Sequence, residues 1–388
     1  MKSIKKRCLS IILYVKGGNR LDFAFACDVM MDLGGSIRPA MYLASELVSR
    51  GHKVSVMSPF MSDVVEERLR ASGIMPINLR AKLVVKNLGS SLLWLEAWAR
   101  EAFLKLNSRR VNNGSYILNF SQVISVPSLV WYLQGPPSIA LKDVEKELSV
   151  GFRVAYNVLK NFIEYADGRL VSRMGEISQF IIANSKFCAS MYSSFGVKSN
   201  SLIYPPIDCQ IFHPSTANPS SDYVLTYLGK ETKISVIKRA VSMGIKFKAF
   251  GAKMAFLDRG IIEHPNIEFL GRLSTTELVD AYSNALFTLF PFTHEPFGYV
   301  PLESMACGTP VLTYNLQGPS EYVIDGRTGW LAQSDGELVQ KAMKLWKEGY
   351  SSCVRVNCVK EASKFDRRFY LEKWLKVLDG LCGEQVSI

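Results

Sequence analysis

The chain has 388 residues and lacks several features that would each have named a class of function. No run approaches the ~20 consecutive apolar residues that span a bilayer. None of the eight cysteines (Cys8, Cys27, Cys188, Cys209, Cys307, Cys353, Cys358, Cys382) forms a Cys-x-x-Cys pair, and none has a histidine at zinc spacing. The cysteines therefore read as reduced and structural, in a reducing compartment, and no metal site is expected. No Asp-x-Asp occurs, which argues against a diphosphate held through a carboxylate-bridged metal. There is no internal repeat, no low-complexity tract and no recognisable nucleic-acid motif, so a nucleic-acid partner is not expected.

What is present is a globular composition. The chain is 48% hydrophobic with 16 prolines spread along it, which excludes a disordered protein. Its length exceeds the usual single core, so two domains are the default. The net charge of +11 suits a partner carrying phosphates, such as a nucleotide or an anionic membrane face, although solubility alone also favours charge. The opening MKSIKKRCLSIILYVKGG is basic, then apolar. Its apolar part, Leu9 to Val15, is short for a secretory signal, and no small-residue cleavage site follows it. Residues 1–20 read as a tail or an anchor, and the protein is expected in the cytoplasm, with peripheral contact to the inner membrane face.

Short apolar strands alternate with amphipathic helices, the pattern of parallel sheets with crossover helices. In the first half, strands are expected at 21–31, 52–59, 115–120, 129–135, 179–185 and 201–206. A helix is expected at 37–50 and a long one near 142–172. Tyr204 to Asp222 is rich in proline, serine and asparagine and reads as a connection between domains. A second series follows, with strands at 223–229, 245–251, 266–271, 285–290 and 309–314 and helices near 334–348 and 351–382. Two consecutive doubly wound domains place a cleft at the carboxyl ends of their strands, where ligands of such sheets bind.

The most informative stretch is 290–331, FPFTHEPFGYVPLESMACGTPVLTYNLQGPSEYVIDGRTGWL. Glu295 and Glu303 are separated by seven residues, with a Pro-Phe-Gly turn and a helix start between them. A helix N-terminus offers free N–H groups and partial positive charge to a phosphate, and carboxylates accept from hydroxyls. The combination suits a sugar nucleotide. The string Glu295-Pro296-Phe297-Gly298, Leu302-Glu303, Met305-Ala306, Gly308, Pro310-Val311, Glu321, Gly326 and Gly329 closely resembles the E-x7-E signature region of glycosyltransferase family 4, retaining enzymes of the GT-B fold. The resemblance weakens before residue 180. It implies an α/β, GT-B architecture of two Rossmann-like domains facing across a cleft: an acceptor domain at 1–205, a nucleotide-sugar donor domain at 206–370, and a last helix at 371–388 crossing back to the first domain.

By that resemblance Glu303 holds the ribose hydroxyls of the donor, and Leu302 beside it belongs to the donor site. Glu295 contacts the transferred sugar and steadies positive charge at an oxocarbenium-like transition state. Phe297, Gly298 and Tyr299 present backbone N–H groups, with Phe297 itself more suited to packing. Lys230 and Lys233, in the loop GKETK, bind the diphosphate; the family's usual arginine is replaced by Lys230, and the second lysine comes early. Arg272 and Leu273 meet the base. Gly34, Gly35 and Ser36 form a turn where a backbone can approach a phosphate, with Arg38 nearby as an acceptor-phosphate candidate or an exposed residue. His294 stands beside Glu295, as a sugar contact or merely a loop residue. The family's first-domain histidine has no equivalent, and Asn119, Ser121 or Gln134 are the candidates to replace it. The stretch 87–110 mixes Leu92, Leu93, Trp94, Leu95 and Trp98 with Arg100, Lys105, Arg109 and Arg110, which suits either an interface with lipid or an ordinary core helix.

The resemblance thus implies a retaining, metal-independent hexosyltransferase that needs no cofactor beyond its nucleotide-diphosphate sugar. The acceptor would be a hydroxyl on a sugar, a glycan or a lipid-linked envelope precursor. A sugar-nucleotide epimerase or phosphorylase on the same fold, and a non-catalytic binding subunit, are the competing readings.

Overall fold

The computed structural model describes residues 20–81, 90–105, 107–108, 115–147, 150–251 and 259–383. Expectations for residues 1–19, 87–89, 106, 109, 110 and 384–388 lie outside the described residues.

Among the described residues, thirteen strands form two sheets, and every pairing between them is parallel. The first comprises β1 (Asp22–Ala26), β2 (Lys53–Ser58), β3 (Met75–Asn78), β4 (Tyr116–Asn119), β5 (Ser128–Leu133), β6 (Ser178–Ala183) and β7 (Ser201–Leu202), in the order 3-2-1-4-5-6-7. The second comprises β8 (Val224–Tyr227), β9 (Phe247–Phe250), β10 (Ile267–Gly271), β11 (Thr288–Phe290), β12 (Val311–Tyr314) and β13 (Gly329–Ala332), in the order 10-9-8-11-12-13. Each sheet reverses its winding once, between β1 and β4 and between β8 and β11. A crevice opens beyond the strand ends at such a switch point.

The strands are apolar on both faces because helices cover both. In β1, Phe23 and Phe25 enter one core while Ala24 and Ala26 enter the other. In β8, Val224 and Leu225 divide in the same way.

The first strand ends at Ala26 rather than at residue 31. Asp28 turns inward there, and its carboxylate accepts from Ser121 Oγ at 2.7 Å, Gln122 N at 2.8 Å and Trp94 Nε1 at 2.8 Å. The loops after β1 and β4 are thereby joined. The edge strands β3 and β13 escaped the sequence pattern because both are four residues long and one contains proline. The long helix near 142–172 is two helices, Pro137–Val144 and Val150–Ile177. In the described part of 87–110 the tryptophans belong to the core, with Leu93 and Trp98 buried and Trp94 tied to Asp28, while Phe103 and Leu104 at the end of that helix are exposed and Phe103 stacks on Phe162.

The closing helix 351–382 is also two helices, Cys353–Ala362 and Arg367–Cys382. The break is made by Asp366, which accepts from Arg368 N, while Ile207 pairs with Phe365 and Arg367 on either side. The last helix therefore begins at Arg367, four residues before the expected 371, because Asp366 caps it. It packs on the first sheet. Trp374 is fully buried, its ring 5.3 Å from Phe120, and Tyr370 Oη donates to Pro39 O at 2.7 Å.

Candidate functional site

The site is assembled from three loops at the strand ends, with the start of the helix Tyr299–Ala306 at its centre. After β11 the chain runs Pro291 to Gly298. Gly298 caps the helix at φ 95°, a conformation that L side chains avoid. A Cβ there would stand 2.9 Å from both Pro319 Cγ and Tyr322 Oη. Tyr322 Oη donates to Gly298 O at 2.6 Å and fixes the turn. One turn on, Glu303 is 2% exposed. Its Oε2 accepts from Tyr282 Oη at 3.2 Å, and its Oε1 from Arg38 Nη1 at 2.5 Å.

Glu295 sits at the mouth of this turn. Burial pushes its carboxyl up to about 7, and the charge of Glu231 adds to the effect against the pull of the Phe297 and Gly298 N–H groups. Glu231 belongs to the loop after β8, which is stitched to the Glu295 loop. Thr293 N donates to Glu231 O at 2.9 Å, and Lys233 N to Pro291 O at 2.8 Å. Thr232 Oγ1 closes the loop, accepting from Gly229 N and donating to Tyr227 O.

The two lysines of that loop differ. Lys233 is engaged within its own domain, with Nζ 2.9 Å from Asp335 Oδ1 and 4.6 Å from the centre of the Tyr314 ring. Lys230 is more exposed, and Glu231 at 3.5 Å is its ion-pair partner among the described residues. It is the loop cation more available to an incoming anion. Arg272 is exposed near Tyr227, and Leu273 packs half-buried on the core.

The other expected site residues are largely committed to packing or to internal hydrogen bonds. The Phe297 side chain is 3% exposed among the rings of Tyr204, Tyr299, Tyr322 and Phe365, and its N–H donates to Glu295 Oε1. Leu302 is fully buried in the second-domain core, because position 302 lies on the inner face of its helix. Neither side chain has a surface to offer a ligand. Asn119 and Ser121 are equally committed: Asn119 bonds Ile124 O and Ser121 N, and Ser121 bonds Asp28. Gln134, which donates to Phe120 O, shares a small recess with Cys27, Asp28 and Ser36. Gly35 takes φ 57° in the turn before the helix Arg38–Ser49, and Gly34 N donates to Asp32 Oδ1.

Contacts across the cleft were invisible in the sequence. His294, 6% exposed, has Nδ1 2.8 Å from Asp143 Oδ2, on the first-domain helix Pro137–Val144. Ser185 Oγ donates to Pro296 O at 2.6 Å. Glu321 accepts from the N–H groups of Lys186 and Phe187, at the start of the helix Lys186–Ser193, and from Tyr204 Oη. A carboxylate at a helix N-terminus is favourable, and here it ties one domain to the other. The sequence had singled out His294 and Glu321 but neither of their first-domain partners.

Two doubly wound parallel sheets with a shared cleft and a returning C-terminal helix match known structures over nearly the whole chain. HepE from Anabaena, in complex with UDP-glucose, aligns with 93% of this chain and 100% of its own at a TM-score of 0.66 and 16% identity. WaaG, a glycosyltransferase involved in lipopolysaccharide biosynthesis, aligns with 93% and 100% at a TM-score of 0.65 and 17% identity. The fold is GT-B. Within the GT-B chain, residues 262–365 match the family described as Glycosyl transferases group 1. An uncharacterised glycosyltransferase of Methanocaldococcus jannaschii is 33% identical over 110 residues, 28% of this chain and 30% of that protein. A D-inositol 3-phosphate glycosyltransferase of Acidothermus cellulolyticus is 29% identical over 138 residues, 36% of this chain and 28% of that protein. The matched stretches thus span less than a third of these curated relatives. The family match contains Glu295, Gly298, Glu303 and Glu321, the residues that build the second-domain side of the GT-B cleft.

Proposed function

We propose that the protein is a retaining glycosyltransferase, moving a hexose from a nucleotide-diphosphate sugar to a hydroxyl acceptor. The observation that carries this reading is the placement of Glu295 and Glu303 at the strand-end cleft, on either side of the tight Gly298 turn that opens a helix. Glu303 accepts the ribose hydroxyls, Lys230 stabilises the diphosphate, and Lys233 supports the same loop. Glu295 faces the transferred sugar. As the bond from the anomeric carbon to the phosphate oxygen breaks, its electron pair leaves with the nucleoside diphosphate. The acceptor oxygen bonds the same face of that carbon and gives its proton to the departing phosphate. An ionised Glu295 steadies the positive charge that develops between these events. Cationic side chains at the diphosphate support turnover without a metal, so a chelator should leave the rate unchanged.

A lipid-linked acceptor is supported by an exposed apolar face. On the helix Val150–Ile177, Val150, Val154, Val158, Leu159, Phe162 and Tyr165 are 48–77% exposed, opposite the face that packs on the first sheet. Spacing of four residues sets most of them on one side, and the net charge of +11 favours an anionic membrane. Among the described residues no helix is long and apolar enough to cross a membrane, so contact would be peripheral. Co-flotation with anionic vesicles at low salt is expected, and its absence in the wild-type protein would remove the membrane part of the proposal.

Calorimetry with UDP-, GDP- and ADP-sugars tests the whole. One nucleotide class should bind, and Glu303→Ala should abolish it; a folded wild-type protein that binds none of them would overturn the donor site. Product analysis by NMR then distinguishes transfer with retention from epimerisation of the donor.

A further inference from the structure

The carboxylate of Glu303 is almost wholly removed from water, with an exposure of 2%. An ionised carboxylate in such a place needs a positive partner or several donors. Its ion-pair partner comes from the other domain. Arg38, at the start of the helix Arg38–Ser49, sends Nη1 to Glu303 Oε1, and its guanidinium carbon lies 4.7 Å from the centre of the Tyr299 ring. Both contacts are to the helix Tyr299–Ala306. Arg38 is in turn anchored from behind, because the carbonyl of the next residue, Pro39, accepts from Tyr370 of the C-terminal helix. Three separate parts of the chain therefore converge on one carboxylate.

A carboxylate offers about four lone-pair sites, two on each oxygen. Tyr282 uses one on Oε2 and Arg38 one on Oε1, which leaves one on each oxygen. That is the demand of a ribose diol, whose two hydroxyls each donate once. The geometry points to Arg38 as a positioning residue of the donor site: contributed by the first domain, it pairs with the Glu303 carboxylate and aims its two remaining lone pairs at a vicinal diol. This rests on the reading of Glu303 as the ribose carboxylate. It adds that half of the support for that group lies across the cleft, so affinity for the nucleotide depends on the two domains being together. Arg38 is then not an acceptor-phosphate ligand, as its place beside the Gly-Gly-Ser turn first suggested.

The test is a double-mutant cycle on the full chain, read as the Kd of the free nucleoside diphosphate that the wild-type protein binds among UDP, GDP and ADP. Arg38→Met should weaken binding at least tenfold, and Arg38→Lys, which keeps the charge but not the planar fork, should recover part of it. Because Arg38 acts through Glu303, the double variant Arg38→Met/Glu303→Gln should bind within about twofold of Glu303→Gln alone. Unchanged or tighter binding by Arg38→Met would overturn the proposal, making Arg38 incidental or a competitor of the ribose. Losses that multiply in the double variant would also overturn it, because Arg38 would then touch the nucleotide directly. If the wild-type protein binds none of the three nucleotides, the functional reading falls by itself, and the cross-domain contact is judged without ligand. Hydrogen exchange over 38–44 and 299–306 should then be faster in Arg38→Met than in the wild type; equal exchange would refute the contact.

Discussion

Replacing Glu295 by glutamine should stabilise the protein at pH 8 and leave its stability nearly unchanged at pH 4. The carboxyl is held at about 7 against an ordinary value of 4.5, first by burial and then by the charge of Glu231. A group whose value is raised on folding favours the native state below its unfolded value, and that contribution is lost as pH rises through the folded value. The window is therefore about pH 4.5 to 7, and above it the native state carries an ionised carboxylate that the unfolded chain solvates better. The rise from 4.5 to about 7 corresponds to ~3 kcal/mol if none of it is screened. The group opens onto the cleft and solvent screens it, so ~1–2 kcal/mol is the expected gain for Glu295→Gln at pH 8. Urea titrations at the two pH values, followed through the fluorescence of the second-domain tryptophans Trp330 and Trp346, measure the difference. An equal effect of the substitution at pH 4 and pH 8 would show that ionisation of this carboxyl carries no cost, and the argument from burial would fail. The same group predicts the activity profile. If ionised Glu295 steadies the transition state, kcat/KM should rise with pH and level off above about 7, and this limb should vanish in the glutamine variant along with most of the rate.

Other perturbations separate the parts of the site. Gly298→Ala places a methyl against Pro319 and Tyr322 at positive φ and should cost ~2 kcal/mol or more, seen as a fall of several degrees in Tm, with donor binding lost as well. Trp374→Ala empties a fully buried ring site between the C-terminal helix and the first sheet and should cost ~3–5 kcal/mol by denaturant titration, without contact to the donor pocket. Lys230→Ala should weaken nucleoside diphosphate binding tenfold or more. Lys233→Ala should weaken it less and instead lose ~1 kcal/mol of stability, because its ammonium already serves Asp335 and Tyr314.

The second domain was the more legible half. Its strands are apolar runs bounded by glycine and proline, and its candidate site residues lie close together in one stretch, so local pattern and local chemistry coincide. The first domain gave its strands except β3, but its polar candidates proved to be engaged elsewhere. Asn119 and Ser121 have the right chemistry, but their hydrogen-bonding capacity is taken by Ile124 and Asp28, which no sequence pattern shows. The tryptophans of the stretch 87–110 proved to be core, and most of the exposed apolar face lies on the helix Val150–Ile177, where valines and aromatics at four-residue spacing resemble any buried stripe until the packing is known.

The sequence by itself determined the alternation of strands and helices, the place of the connection near residues 204–222, and the turn that puts Glu295 and Glu303 beside a helix start. These follow from periodicity, from glycine at a positive φ and from short separations along the chain. Only the tertiary structure decided that Glu303 is completed by Arg38, His294 by Asp143, and the start of the helix Lys186–Ser193 by Glu321. Those partners stand 265, 151 and 134 residues apart. A charge carries no address in the sequence, and its partner is fixed only when two sheets and a returning helix bring distant loops to the same cleft.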